Sequence, residues 1–325
     1  MRAAYCRAYG PPESLVIDDV PSPALRDGAA LVDIKAASVN FPDVLMVANE
    51  YQVSVPAPFI PGSEFAGVVT AVASNVSNVQ VGDRVFGSAF IGAFAEQTSV
   101  PAAMLTSVPD SVSLPEAASF GVVYTTAYHA LRGVADVQPD EWVAVLGAAG
   151  GVGLAAVDVA RHLGARVVAA ASSDTKLALC RDRGADAVVN YETEDLKVRL
   201  KELTGGGADV VIDPVGGRYS EAALRATRWG GRFVVVGFAS GEIPRIPLNL
   251  ILLKGVIVKG FELRTFAQYA PELAARDSDE LLELFRGGQI RPHVSDVFPL
   301  ERVGEALRCV ADRRALGKVV VDPTR

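Results

Sequence analysis

Two rhythms of apolar positions divide the chain. Up to about Leu114, short apolar runs alternate with Pro and Gly turns. This pattern predicts strands at 30–35, 64–72 and 84–86, with Val81-Gly-Asp-Arg-Val85 as a turn between strands. Pro115 stands where the first turn of a helix tolerates proline, and a helical pattern runs on to about Arg132. Beyond it, apolar strand candidates recur at 142–146, 166–171, 187–190, 209–212, 232–237 and 256–262. Helical patterns at 152–163, 175–183, 194–203 and 219–229 separate the first five. Gly164 and Gly184 fall just past helix ends, as C-terminal caps do. Such alternation demands right-handed crossovers and a parallel sheet covered on both faces. The tail predicts helices near 279–287 and 300–312 and a last strand at 318–321, and reads as a return to the first domain.

The chemistry concentrates at Gly147-Ala-Ala-Gly-Gly-Val-Gly153. This turn follows the apolar run Trp142-Val-Ala-Val-Leu146 and opens a helical pattern. A glycine turn between strand and helix brings bare backbone N–H groups to a helix N-terminus, where a pyrophosphate can sit unobstructed. Gly151-x-Gly153-x-x-Ala156 fits the dinucleotide fingerprint, with one extra residue in the turn before it. Six strands and this turn make 123–262 a Rossmann domain, a doubly wound parallel six-stranded sheet.

Composition narrows the setting. The 325 residues suit two domains, and half of them are hydrophobic. A net charge of −7 with scattered basic residues argues against nucleic acid or an anionic membrane surface as the main partner. Three distant cysteines (Cys6, Cys180 and Cys309) suit a reducing compartment rather than a disulfide framework. The N-terminus lacks a signal-peptide apolar core, and the apolar run at 248–258 is interrupted by Lys254 and Gly255. The expectation is a cytoplasmic protein.

The second strand of a dinucleotide domain meets the adenosine ribose, and an acid there would repel a 2′-phosphate. Here it ends Ala170-Ala-Ser-Ser-Asp174, with Lys176 close behind and Tyr191 ending the third strand. Ser173, Lys176 and Tyr191 favour NADPH over NADH; Asp174 is discordant but suits the cap of the next helix.

The chain resembles the zinc-independent medium-chain dehydrogenase/reductases of the quinone oxidoreductase (zeta-crystallin-like) group, over essentially its whole length. The anchors are Val39-Asn-Phe-Pro-Asp43, Pro61-Gly-Ser-Glu-Phe-Ala-Gly67, Val81-Gly-Asp-Arg-Val85, the turn 147–153, Asn190-Tyr191, Gly230-Gly-Arg-Phe-Val-Val-Val-Gly237 and Gly317-Lys-Val-Val-Val321. The resemblance implies an α/β protein with a GroES-like β-rich catalytic domain at 1–122 and 263–325, beside the Rossmann domain at 123–262, with nicotinamide and substrate in the cleft between them. It also implies a homodimer joined through the edge strand Val256-Ile-Val-Lys-Gly-Phe261. Zinc enzymes of the superfamily carry Cys and His where this chain has Asn40 and Ser63, and the structural zinc cysteines are missing. Neither replacement suits zinc, and His129, His162 and His293 share no ligand spacing, so no metal is expected.

Without a metal, hydride transfer from NADPH to an electron-poor acceptor is easier than alcohol oxidation. The expected activity is quinone reduction. The alternatives are reduction of an alkenal or enoyl thioester, or a nucleotide-binding protein with a structural or regulatory role. Asn40 is a candidate to bind nicotinamide, ribose or the substrate carbonyl, while Asp43 reads as holding the local turn. Tyr51, eleven residues after Asn40, matches a proton-donor tyrosine of related enoyl-thioester reductases. Against it stands a plain pocket-lining role. The cofactor-side candidates are Asn40, Thr126, Gly150, Gly151, Val152, Ser173, Lys176, Tyr191, Gly237 and Phe238, with Asp213-Pro-Val-Gly216 nearby. Phe41, Phe59, Phe90, Tyr124 and Phe261 offer apolar area for a flat ring or acyl chain, with Arg245 and Arg264 as candidate cations for a CoA phosphate.

Overall fold

The computed structural model describes residues 1–325, which divide into two compact units. The first opens with β1 (Arg2–Tyr5) and β2 (Val16–Asp19), an antiparallel pair. There follow β3 (Ala29–Ser38), α1 (Phe41–Ala48), β4 (Glu64–Val72), β5 (Arg84–Ser88), β6 (Gln97–Pro101), β7 (Leu105–Ser107) and α2 (Leu114–Ala118). Helix α3 (Gly121–Tyr128) leads into β8 (Trp142–Leu146), α4 (Gly151–His162), β9 (Arg166–Ala171), α5 (Asp174–Asp182), β10 (Ala187–Asn190), α6 (Leu196–Leu203) and β11 (Ala208–Asp213). Then come α7 (Arg218–Ala226), β12 (Thr227–Val235), α8 (Leu248–Lys254), β13 (Ile257–Gly260), α9 (Leu263–Tyr269) and α10 (Pro271–Arg286). The last elements are β14 (Val294–Pro299), α11 (Val303–Ala311) and β15 (Lys318–Asp322). No helix is long and apolar enough to cross a membrane.

The first unit, residues 1–122 and 291–325, is built on a seven-stranded sheet. Its path runs β14-β15-β3-β4-β5-β7, with β6 also paired to β3. Alternate residues of β3 and β4 feed one core around Val32, Ile34, Phe65 and Val69, all at most 1% exposed. Each such side chain contributes about 1.5–3 kcal/mol over its exposed state. The C-terminal strand enters the sheet beside β3: Val320 pairs Ser38, and Ser38 pairs Glu64. Three strands distant in sequence thus set the start of β15, the end of β3 and the start of β4 side by side.

The second unit, residues 123–290, holds a wholly parallel six-stranded sheet in the order β10-β9-β8-β11-β12-β13. This is the Rossmann order, with its switch point between β8 and β11. Val143–Leu146 and the β11 residues Val210–Ile212 are wholly buried, which is why these runs read as continuously apolar.

Several expectations shift. The helix expected over 115–132 is broken at Ser119–Phe120 and ends in a π-helical turn, His129–Val134. A tertiary contact sets the break: the Val122 N–H donates to Glu64 Oε1 at 2.7 Å, and a Cβ on Gly121 would stand 3.0 Å from the same oxygen. Trp229 belongs to β12 rather than the preceding helix, because Thr227 already pairs with Ala208. The run at 248–254 folds as α8, the second tail helix begins as a 3-10 turn at Leu300–Arg302, and the first, expected from 279, begins at Pro271. Residues 263–290, expected with the first unit, pack with the second. Phe266 stacks against His129 and Phe261 at 4.8 and 5.4 Å, and His129 Nδ1 bonds the buried Asp277 at 3.0 Å. Sequence periodicity carries no sign of those bonds.

Candidate functional site

In the second unit the loops after β8, β9, β10, β11 and β12 leave from the carboxyl ends of the strands. Gly147 takes φ +57°, and a Cβ there would meet Val215 at 2.7 Å. Gly153 lies so close to the turn that a Cβ would come 2.7 Å from Ala148 Cα and collide with the Gly147 carbonyl. Gly150 is the N-cap of α4, and the Leu154 N–H closes the first helical bond onto its carbonyl at 2.8 Å. Gly151, Val152 and Gly153 are therefore the first-turn positions, whose N–H groups have no partner four residues back. A helix N-terminus with bare first-turn N–H groups of this kind can hold an anion.

At the end of β9, Ser173 caps α5 and accepts the Lys176 N–H at 3.4 Å, while Lys176 Nζ reaches Ser172 Oγ at 3.0 Å. The discordant Asp174 opens the helix and accepts from Asn190 Nδ2 at 3.1 Å. The Tyr191 ring lies 4.2 Å from that of Tyr219. Tyr219 donates to Glu192 at 2.5 Å, and Arg218 pairs the same carboxylate at 2.5 Å with its guanidinium 4.9 Å over the Tyr219 ring. Lys176, Ser173 and Tyr191 thus share one end of the sheet with Arg218, Tyr219 and Glu192. The last three lay hidden in the sequence because Arg218 follows an unremarkable Gly-Gly pair.

The loops after β11 and β12 are tied together. Asp213 accepts the Val215 and Gly216 N–H groups at 2.9 and 2.8 Å and the Ser220 hydroxyl at 2.5 Å. Burial still raises its pKa. Gly237 donates to the Asp213 carbonyl at 3.3 Å, and Phe238 lies across Gly216, where a Cβ would meet its ring at 2.8 Å. Thr126 is buried on α3.

In the first unit, Asn40 is the N-cap of α1, and Asp43 reaches back to accept its backbone N–H at 2.7 Å. The Asn40 carboxamide is gripped at both ends. Nδ2 donates to Glu64 Oε2 at 3.0 Å, and Oδ1 accepts from Lys318 Nζ at 2.5 Å. Lys318 also donates to the Val39 carbonyl at 3.0 Å and stands 3.7 Å from Glu64. Asn40, Asp43, Glu64 and Lys318 are each at most 5% exposed. Burial pushes Glu64 up and Lys318 down, and the opposite charge of each restrains the other. Asp43 Oδ1 has no hydrogen-bond partner, and burial pushes Asp43 up to about 7 against the Asn40 N–H, the Ser63 hydroxyl and the Lys318 charge.

That shift has a signed consequence. The native Asp43 keeps a proton that the unfolded chain releases between its ordinary 3.8 and about 7, so stability falls as pH rises through this window. Asp43→Asn keeps an acceptor for the Asn40 N–H but cannot titrate. Its melting midpoint is expected to gain on the wild type from pH 5 to pH 8; parallel profiles would refute this.

The donor set here does not fit zinc. A lysine amine bonds the Asn40 oxygen, both Glu64 oxygens are engaged, and no group of three His, Cys, Asp or Glu side chains converges anywhere. The three cysteines are buried and free.

Tyr51 is half-buried on a bend just past α1, whose C-cap Asn49 takes φ +58°. The aromatic set largely disperses into cores. Phe59 packs with Cys6 and Val47, Phe261 with His129, and Tyr124 donates to Asp158 at 2.6 Å beside Arg183. Phe41 is half-buried and Phe90 exposed.

Fold and site together define a nucleotide-dependent oxidoreductase frame, and known proteins share it. Residues 26–110 match the alcohol dehydrogenase GroES-like domain, and 151–277 match the zinc-binding dehydrogenase family. The quinone oxidoreductase-like protein 2 of Bos taurus is 40% identical over 98% of this chain and 92% of its own. The Escherichia coli quinone oxidoreductase complexed with NADPH is 29% identical, with a TM-score of 0.91 over 99% of this chain and 100% of that one. The Thermus thermophilus quinone oxidoreductase, also solved with NADPH, is 34% identical, with a TM-score of 0.84 over 99% and 100%. The chain belongs to the medium-chain dehydrogenase/reductase family, on its quinone oxidoreductase branch, and is an oxidoreductase.

Proposed function

We propose that the protein is an NADPH-dependent quinone oxidoreductase that works without a metal. The observation that carries the reading is Lys176 on Ser172 at the end of β9, where an acid selecting NADH would otherwise stand. Gly150, Gly151 and Val152 hold the pyrophosphate on the α4 N-terminus. Ser173, Lys176 and Tyr191 take the 2′-phosphate, and Thr126, Gly237 and Phe238 serve the nicotinamide end. Bound NADPH supplies a hydride. Asn40 donates a hydrogen bond to the acceptor carbonyl, and its polarity favours charge developing on that oxygen. NADPH oxidation run in parallel with a 1,4-benzoquinone and an α,β-unsaturated aldehyde tests this reading, which requires the higher kcat/KM with the quinone.

A second reading, reduction of an activated alkene, rests on half-buried Tyr51 eleven residues beyond Asn40. A phenol there is a proton donor to the enolate that hydride transfer leaves. Tyr51→Phe is expected to leave quinone turnover within about twofold and to lower alkenal turnover by on the order of 100-fold, the scale of general acid catalysis. Equal losses with both acceptors would remove Tyr51 as a donor. Nucleotide binding with no turnover of either would favour a structural or regulatory protein.

We also propose a homodimer through the free edge of the parallel sheet. Ile257 and Val258 on β13 are 50% and 42% exposed, and α8 presents Leu248, Leu252 and Leu253 at over 70%. An open apolar edge beside an apolar helix invites pairing with a second copy. Light scattering should give twice the mass of one chain for the wild type and a monomer for Leu252→Glu combined with Val258→Lys. A monomeric wild type would refute it.

A further inference from the structure

Glu64 and Lys318 are buried charges to which the proposed function assigns no task. A carboxamide looks nearly symmetrical, but its two ends have opposite hydrogen-bonding needs. Around Asn40 those needs are fixed by neighbours of opposite kind. Paired with the Glu64 carboxylate, the Lys318 ammonium has only donors to offer and holds one end at 2.5 Å; Glu64 holds the other end at 3.0 Å. Turning the amide over would set NH2 against amine and oxygen against carboxylate. Glu64 is itself anchored by the Val122 N–H, and Lys318 by the Val39 carbonyl. The carboxamide therefore has one orientation. Its oxygen is taken by Lys318, while Nδ2 keeps a second hydrogen that makes no bond within the protein.

We propose that Glu64 and Lys318 are positioning residues that commit Asn40 to act as a hydrogen-bond donor, so that its ligand is an acceptor oxygen such as a quinone or enone carbonyl. This inference rests on the reading of Asn40 given above. The amine on Oδ1 also polarises the amide and strengthens the N–H at its far end. The chain Lys318–Asn40–ligand oxygen delivers the influence of a buried cation without direct contact. A hydroxyl would be a poorer partner, since it gains less from a polarised donor that cannot also accept.

Lys318→Met removes the donor to Oδ1, and Lys318→Arg keeps one. Lys318→Met is expected to lower kcat/KM for the acceptor about tenfold, the scale of one charge-assisted hydrogen bond, with NADPH affinity by fluorescence within twofold of wild type. Lys318→Arg should recover most of the loss. Glu64→Gln has one oxygen for two donors and should lose activity in the same sense; it serves if Lys318→Met fails to fold. Independently of turnover, protein labelled with 15N at asparagine should show an Asn40 side-chain amide with inequivalent hydrogens, assigned by its loss in Asn40→Asp. The signal should move in Lys318→Met or Glu64→Gln. An unmoved signal overturns the inference, as does acceptor kcat/KM unchanged in both variants or falling only in step with NADPH affinity. A wild type inert with quinone and alkenal alike would sink the functional reading alone, and the amide signal would still decide this one.

Discussion

Gly153→Val is expected to weaken NADPH binding by on the order of 100-fold or more, whereas Gly150→Ala in the same turn should leave the fold intact. The two glycines face different constraints. A Cβ on Gly153 would strike the Gly147 carbonyl and come 2.7 Å from Ala148 Cα, both main-chain atoms with no rotamer to give way. The added side chain must push α4 off the turn, which spoils the aim of the first-turn N–H groups. Gly150 has extended φ and ψ of −83° and 177°, and its nearest neighbour to a Cβ is the Gly147 oxygen at 3.4 Å, an ordinary contact. Titration by nicotinamide fluorescence together with thermal melts checks the pair. The Gly153 variant should lose affinity and several degrees of melting temperature, and the Gly150 variant should melt within about 2 °C of wild type. Wild-type affinity in Gly153→Val would show that the nucleotide binds elsewhere.

Lys176→Ala carries the second large effect. On the proposed reading the Lys176 ammonium, held at the end of β9 by Ser172, makes a charge-assisted bond to the 2′-phosphate, about 1.5–3 kcal/mol, so the NADPH dissociation constant should rise about 10- to 100-fold. NADH has no phosphate at that position, and its affinity should stay within about twofold. Lys176 has a second role to separate, because its backbone N–H bonds the Ser173 hydroxyl and its amine the Ser172 hydroxyl. The backbone bond survives in the alanine variant, so α5 keeps its cap. Equal weakening of both nucleotides would mean that the loss is structural. The NADPH penalty should also shrink in high salt, as expected for partly exposed charges.

The second unit was legible in the sequence for a physical reason. In a parallel sheet covered on both faces, strands such as 143–146 and 210–212 are buried whole, so each appears as an unbroken apolar run between glycine turns. The glycine turn after β8 was equally plain, since Gly147 and Gly153 are required by close local contacts. What escaped was set by contacts between distant segments. Lys318 and Glu64 each look like a lone charge in a strand, ordinarily a surface residue. Only the pairing of β15 with β3 and of β3 with β4 brings them to the two ends of one carboxamide. The break after Ser119 is fixed by the same Glu64, far away in sequence. Likewise, assigning 263–290 to the catalytic domain missed the His129–Asp277 bond that ties α10 to the second unit. Aromatic residues were a poor guide to a pocket, because Tyr124, Phe59 and Phe261 satisfy core packing first.

The most direct test of a metal-free NADPH-dependent quinone reductase is the rate of NADPH oxidation with 1,4-benzoquinone by protein dialysed exhaustively against a chelator, with NADH run alongside. The account predicts turnover undiminished by the chelator and unaffected by added zinc, with kcat/KM for NADPH above that for NADH. Loss of turnover that zinc restores, or a preference for NADH, would contradict it.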